Sequence, residues 1–194
     1  MHIGSSAWVS QSIVAIVLFL GHLPPAGATS ALYLSEKEQA VQSTAVVVAR
    51  VFERTAIDVA AHRRPMQQTR LLIDEVLYGQ APEQVQLVQI GGTRDGISTT
   101  LPGDGVLHKG DRAVLFLRQE QGKWYLTALG QSVYYLVERN NQTHLAQDLQ
   151  LNLYKRDGGG NLKKYHPEHK TKFTLEAMRL VLNAANTTQT GAKQ

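Results

Sequence analysis

The stretch Thr44-Ala45-Val46-Val47-Val48-Ala49-Arg50-Val51-Phe52 constrains the fold of this chain more than any other. Its valines are β-branched and favour an extended backbone over a helix. In a strand, successive side chains point to opposite faces, and here both sets are apolar. Such a strand must be covered from two sides, so it belongs at the centre of a layered or closed sheet.

The segments around it carry strand signals of the same kind. Thr69 to Leu77 reads as a strand that ends at Gly79, with Pro82 opening the next turn. Gln84 to Ile90 alternates, with Val85 and Leu87 on one side. Arg112 to Arg118 places five apolar residues between two arginines. Lys123 to Leu129 returns from a turn at Gln119 to Gly122, and Ser132 to Glu138 follows with Tyr134 and Tyr135 on opposite faces. Leu145, Leu149, Leu151 and Leu153 share one parity, and polar residues the other. Ser35-Glu36-Lys37-Glu38 has the form of a capping box opening a short helix to about Ser43. Thr174 is placed to cap a second helix, Leu175 to about Ala185, with Leu175, Met178, Val181 and Leu182 as its apolar stripe.

About seven strands joined mainly by short turns, a helix at each end and no βαβ alternation predict a mostly β chain. The expected form is a small antiparallel barrel of the OB-like type, since closure removes exposed edges. The domain is expected over residues 29–185, with 154–172 as a basic loop broken at Gly158-Gly159-Gly160 and 186–194 as a frayed, disordered tail.

Composition then narrows the chemistry. There is no cysteine, which excludes disulfides, thiol catalysis, iron–sulfur clusters and zinc ribbons. Ile13 to Leu20 is an unbroken apolar run, too short to span a bilayer, followed by Pro24-Pro25 and Ala26-Gly27-Ala28. This predicts a secretory signal peptide over residues 1–28, cut after Ala28, and a secreted or periplasmic chain with no later membrane span. Residues 1–12 contain no lysine or arginine, and the competing reading is a retained anchor. The net charge of +4 is concentrated between residues 154 and 172, where Lys155, Arg156, Lys163, Lys164, Lys170 and Lys172 face only Asp157 and Glu168. That segment reads either as a solvated loop or as a contact for an anionic surface.

The order "AVVVARV", "TRLLIDEVLYG", "GDRAVLFL", "GKWYLTALG" resembles a group of uncharacterised exported bacterial proteins, over roughly residues 35 to 137. In that group a strand ends in a small residue-Arg-Val, a second ends in Val-Leu-Lys-Gly, and a third opens with Gly-Asp and ends in Leu-Phe-Leu. Tyr78 stands where the group has lysine. The same order is more distantly similar to the netrin module shared with tissue inhibitors of metalloproteinases. That resemblance implies an OB-type barrel and an inhibitor-like role. The family's zinc-gripping N-terminal cysteine and its disulfides are absent from this chain.

Four places invite a functional reading. Gly91 to Gly105, "GGTRDGISTTLPGDG", has the glycines and aspartates of a ligand loop. No helix follows to make a phosphate cradle, and Asp95 and Asp104 lack ligands at alternate positions, so it reads as two Asp-Gly turns flanking a short edge strand at Ile97 to Leu101. His166-Pro167-Glu168-His169 holds two imidazoles but matches no zinc pattern. Ser132 lies outside any Gly-x-Ser-x-Gly elbow, though a triad assembled in space remains open to it. Trp124 and Tyr134 are candidates for stacking a ligand, with core packing as the other reading. Taken together, these features predict an exported, non-enzymatic binding module without cofactor or metal. Its partner is expected to be a protein or an anionic polymer of the cell envelope rather than specific nucleic acid. The alternatives are a hydrolase or metal-dependent enzyme with scattered site residues, and an anionic-surface binder acting through 154–172.

Overall fold

A computed structural model describes residues 29–57, 65–94, 97–167 and 173–191. The predicted signal peptide, the Asp95-Gly96 turn, Glu168, His169, Lys170 and Lys172 lie outside the described residues. Eleven strands are present among them, where the sequence suggests about seven. They are β1 (Ser30–Leu32), β2 (Ala45–Ile57), β3 (Met66–Gly79), β4 (Gln84–Arg94), β5 (Ile97–Thr100), β6 (Arg112–Glu120), β7 (Lys123–Leu126), β8 (Val133–Arg139), β9 (Gln142–Ala146), β10 (Asn152–Arg156) and β11 (Leu162–Tyr165). Helix α1 spans Glu36–Gln42 and α2 spans Leu175–Gly191.

The large sheet closes on itself. Hydrogen-bonded neighbours run β2-β3-β4-β7-β6, and β6 pairs back to β2. All the contacts are antiparallel except one parallel bridge, Leu87 beside Trp124, which joins β4 to β7. Strand β6 holds β2 along one edge. Along its other edge it holds β8 on its first half and β7 on its second, with β9 continuing beyond β8. The result is a small, mostly β, barrel-like fold.

Closure explains the two-faced apolar run. On β2, Ala45, Val47, Ala49 and Val51 fill the barrel with Leu71, Leu87 and Leu115. Val46 and Val48 face outward and join Val114, Phe116 and Tyr134 under the helices. From α2 come Leu175, Met178, Leu182 and Ala185, and from α1 comes Ala40. One strand therefore serves two cores, and each fully buried aliphatic side chain contributes about 1.5–3 kcal/mol.

The helices begin where their caps predict. Glu38 N–H donates to Ser35 Oγ at 3.4 Å, and Ser35 N–H donates to Glu38 Oε2 at 2.8 Å. The Ser35 hydrogen bonds hold the Glu38 carboxyl below its usual range. Ala177 N–H donates to Thr174 Oγ1 at 3.2 Å. Helix α2 runs on to Gly191, through residues expected to form a frayed tail.

Buried amides fasten the N-terminal segment to the barrel. Gln131 acts like a strand neighbour: Leu34 N–H donates to its Oε1 at 3.1 Å, and its Nε2 donates to the Leu32 carbonyl at 2.9 Å. Gln39 Nε2 donates to the Leu34 carbonyl at 3.0 Å.

Three sequence expectations need correction. The basic segment is not a loop over its described part: β10 and β11 form an antiparallel hairpin, and β1 adds to β10 in parallel to make a second, three-stranded sheet. Gly158-Gly159-Gly160 is the hairpin turn, organised by Asp157, whose carboxylate accepts from the Gly159 and Asn161 amides. The leucine alternation from Leu145 to Leu153 is not one strand, because residues 147–151 are unpaired between β9 and β10; Leu145 and Leu153 are buried, and Leu149 and Leu151 are half-buried. In the Gly91 to Gly105 stretch, β5 pairs with Gly91 to Arg94 of β4, as the edge strand predicts. Its second turn differs: Asp104 N–H bonds to the Leu101 carbonyl at 3.0 Å, and the positive φ falls on Gly103 rather than Gly105.

Candidate functional site

A cleft of about 440 Å³ opens on the outside of the barrel where β3, β4 and β7 meet. Ring closure builds it, because the bridge between Leu87 and Trp124 brings β7 against β4. On β3 and β4, Thr69, Leu71, Val85 and Leu87 point into the barrel, leaving Met66, Gln68, Gln86 and Val88 on the outer face. Ile57 at the end of β2 pairs with Met66 and forms one end of the cleft. Gly122, in the turn between β6 and β7, and Lys123, Trp124 and Tyr125 of β7 supply the other wall.

The lining joins an apolar floor to a few fixed polar groups. Met66 and Val88 are buried beneath it. Gln68 Nε2 donates to Gln86 Oε1 at 2.8 Å, which leaves the Gln68 oxygen and the Gln86 amide hydrogens for a ligand. Trp124 is only 7% exposed and reaches the cleft from the barrel core. Tyr125 is half-buried, and the Arg118 guanidinium lies 5.3 Å from its ring centroid. Arg118 also forms an ion pair with Glu120. Among the described residues, the lining contains no aspartate, glutamate, histidine or serine. Its groups hydrogen-bond, stack and carry one lysine charge, but they include no carboxylate–imidazole or hydroxyl–base pair for acid–base or nucleophilic chemistry.

The sequence-derived candidates fall in different places. Trp124 belongs to the cleft, but Tyr134 does not. It is 5% exposed within the core under the helices, and its hydroxyl donates to Glu36 Oε1 at 3.2 Å. Burial, reinforced by the nearby Glu36 charge, pushes its hydroxyl well above the ordinary tyrosine range. Tyr134 is therefore a packing residue, and the stacking reading fails for it because its strand face is the one the helices cover. Lys155, Arg156, Lys163 and Lys164 lie together on the β10–β11 hairpin, away from the cleft residues in the strand network.

Ser132 is fully buried, accepts from Ala128 N–H at 2.7 Å and donates to Gln39 Oε1 at 3.1 Å. Both interactions brace the fold and leave no path for a substrate. His166 is exposed, and no group of three potential metal-ligating side chains occurs among the described residues. No helix among them is long and apolar enough to cross a membrane.

Gln68, Gln86 and Lys123 are absent from the sequence-derived candidates. A signal existed in the amides at outward positions of these strands, Gln68, Gln84 and Gln86, where exposed strands more often carry charge. No protein-family model matches the chain, and no curated protein is significantly similar to it.

Proposed function

We propose that this chain is an exported, non-enzymatic binding module that holds a segment of an envelope polysaccharide in the cleft between β3, β4 and β7. The carrying observation is the lining itself: paired glutamine amides, an aromatic wall and one cation over an apolar floor, with no catalytic pair. Amides match the hydroxyl and acetamido groups of sugars, and an aromatic ring covers the apolar face of a pyranose. In OB-type barrels, this sheet face and the adjoining loops accept extended polymers. The apolar run from Ile13 to Leu20 supports export.

The inhibitor-like role implied by the netrin resemblance receives less support. It requires an N-terminal residue free to reach a partner's metal, whereas Ser30 to Leu32 is paired with β10 and bracketed by Gln131.

The test is calorimetric titration with soluble N-acetylglucosamine oligomers. The parent chain is expected to bind, and Tyr125→Ala should weaken binding by about 1 kcal/mol or more, the scale of one lost stacking contact. The double variant Gln68→Ala/Gln86→Ala should weaken it at least as much through lost hydrogen bonds. Unchanged affinity in both variants would place the site elsewhere.

A further inference from the structure

The small sheet has an outward face that the cleft does not use. Register places Leu32, Tyr154 and Lys164 in one cross-strand row and Arg156 and Leu162 in the next, all on the same side. The opposite side carries Leu153, which is buried, and Tyr165, which packs on Tyr33 with ring centroids 4.3 Å apart. This second side faces the body of the protein, so the first faces solvent. Leu32 is 45% exposed there and Leu162 is 56% exposed.

The charges around these leucines are poorly neutralised. Lys163 reaches Asp157 at 3.3 Å. Arg156 donates to the Gly160 carbonyl, which leaves its charge intact, and Lys155 lies over the Tyr165 ring at 5.7 Å. The Lys155 charge also acts on the Glu38 carboxylate, whereas neither Arg156 nor Lys164 forms an ion pair with a described carboxylate. Hence one small face combines two exposed leucines and a tyrosine with two unpaired cations, Arg156 and Lys164, while Lys155 and Lys163 belong to the other side of the sheet. A soluble polyanion would satisfy the cations only. An anionic bilayer satisfies both sets, because leucines enter the interfacial layer while lysine and arginine stay with the headgroups.

We propose that the outer face of the β1–β10–β11 sheet docks this protein onto an anionic phospholipid surface, with Arg156 and Lys164 contacting headgroups and Leu32 and Leu162 inserted between them. The surface shares no residue with the cleft.

The test is co-sedimentation of the full chain with phosphatidylcholine vesicles, with and without phosphatidylglycerol. Every variant retains the same N-terminal apolar run, so differences between variants report on the face. Binding is expected to require phosphatidylglycerol. It should fall steeply between about 0.1 M and 1 M salt, as the screening length shrinks from about 10 Å to about 3 Å. Each cation near an anionic surface is worth roughly fivefold in affinity, so Arg156→Glu/Lys164→Glu should lose at least tenfold. Leu32→Ser/Leu162→Ser should also weaken binding, whereas Tyr125→Ala should not. Equal binding to vesicles with and without phosphatidylglycerol would overturn the proposal, as would an unaffected charge-reversal variant. Full competition by dextran sulfate, together with no effect of the leucine variant, would assign the face to a soluble polyanion instead. The parent chain's dependence on lipid charge and salt decides the matter even if a variant does not fold.

Discussion

Replacing Phe116 by alanine will destabilise the protein by about 3–5 kcal/mol, the scale for emptying a large buried aromatic site. Phe116 is fully buried, stands opposite Val46 across the β2–β6 pair, and lies 5.8 Å from Tyr134 between ring centroids. Helix α2 covers this core with Met178 and Leu182, both fully buried. Strand and helix are fixed independently by their hydrogen bonds, so neither can collapse far into the void. Phe52 is the control. It is 46% exposed at the other end of the same sheet, with the Arg70 guanidinium 4.5 Å from its ring centroid. Phe52→Ala should cost no more than about 1 kcal/mol, the scale of an exposed cation–π contact. Thermal unfolding will distinguish them, since each kcal/mol moves the midpoint of a chain this size by about 2–4 °C. Equal midpoints for the two variants would refute the assignment of a second core outside the barrel.

Gly79→Ala should be the most damaging of the conservative changes. Gly79 ends β3 with φ of +69°, and a Cβ there would stand 2.1 Å from the Thr44 carbonyl oxygen. The collision is with backbone, at the point where β2 begins, so relief requires moving the first β2–β3 pair. Gly122, in the turn between β6 and β7, has φ of +77° but nothing within 4 Å of the same added atom. The left-handed backbone costs about 1–2 kcal/mol in either place. The difference between the two variants therefore isolates the collision, and Gly79→Ala should exceed Gly122→Ala by roughly 2 kcal/mol or more. Urea unfolding measures both. Similar losses would mean that β2 and β3 diverge at Gly79.

The parts of the fold legible in the sequence were those written in neighbouring residues. The Thr44 to Phe52 run demanded two covers and has two, the barrel interior and the helices. Ser35 and Glu38 predicted a reciprocal cap, and both hydrogen bonds form. Features built from distant pairings were not legible. Strand β1 has three residues and no apolar pattern, and it owes its existence to β10, more than a hundred positions away. The β10–β11 hairpin was hidden because Lys155, Arg156, Lys163 and Lys164 place charge on both faces, which reads as loop. Alternation put Tyr134 and Tyr135 on opposite sides of β8, but only the tertiary structure decides which side the helices cover. The cleft was hidden for the same reason. Its residues run from Ile57 to Tyr125 and meet only because the β4–β7 bridge closes the ring.

The proposed ligand site is the outer face of β3, β4 and β7. Its most direct test is a side-chain and backbone amide NMR titration of the protein with N-acetylglucosamine oligomers. The predicted result is saturable shifts of the Gln68 and Gln86 side-chain amides together with the Lys123 and Tyr125 backbone amides. Shifts that leave these four unmoved, or that cluster instead on the β10–β11 hairpin, would contradict it.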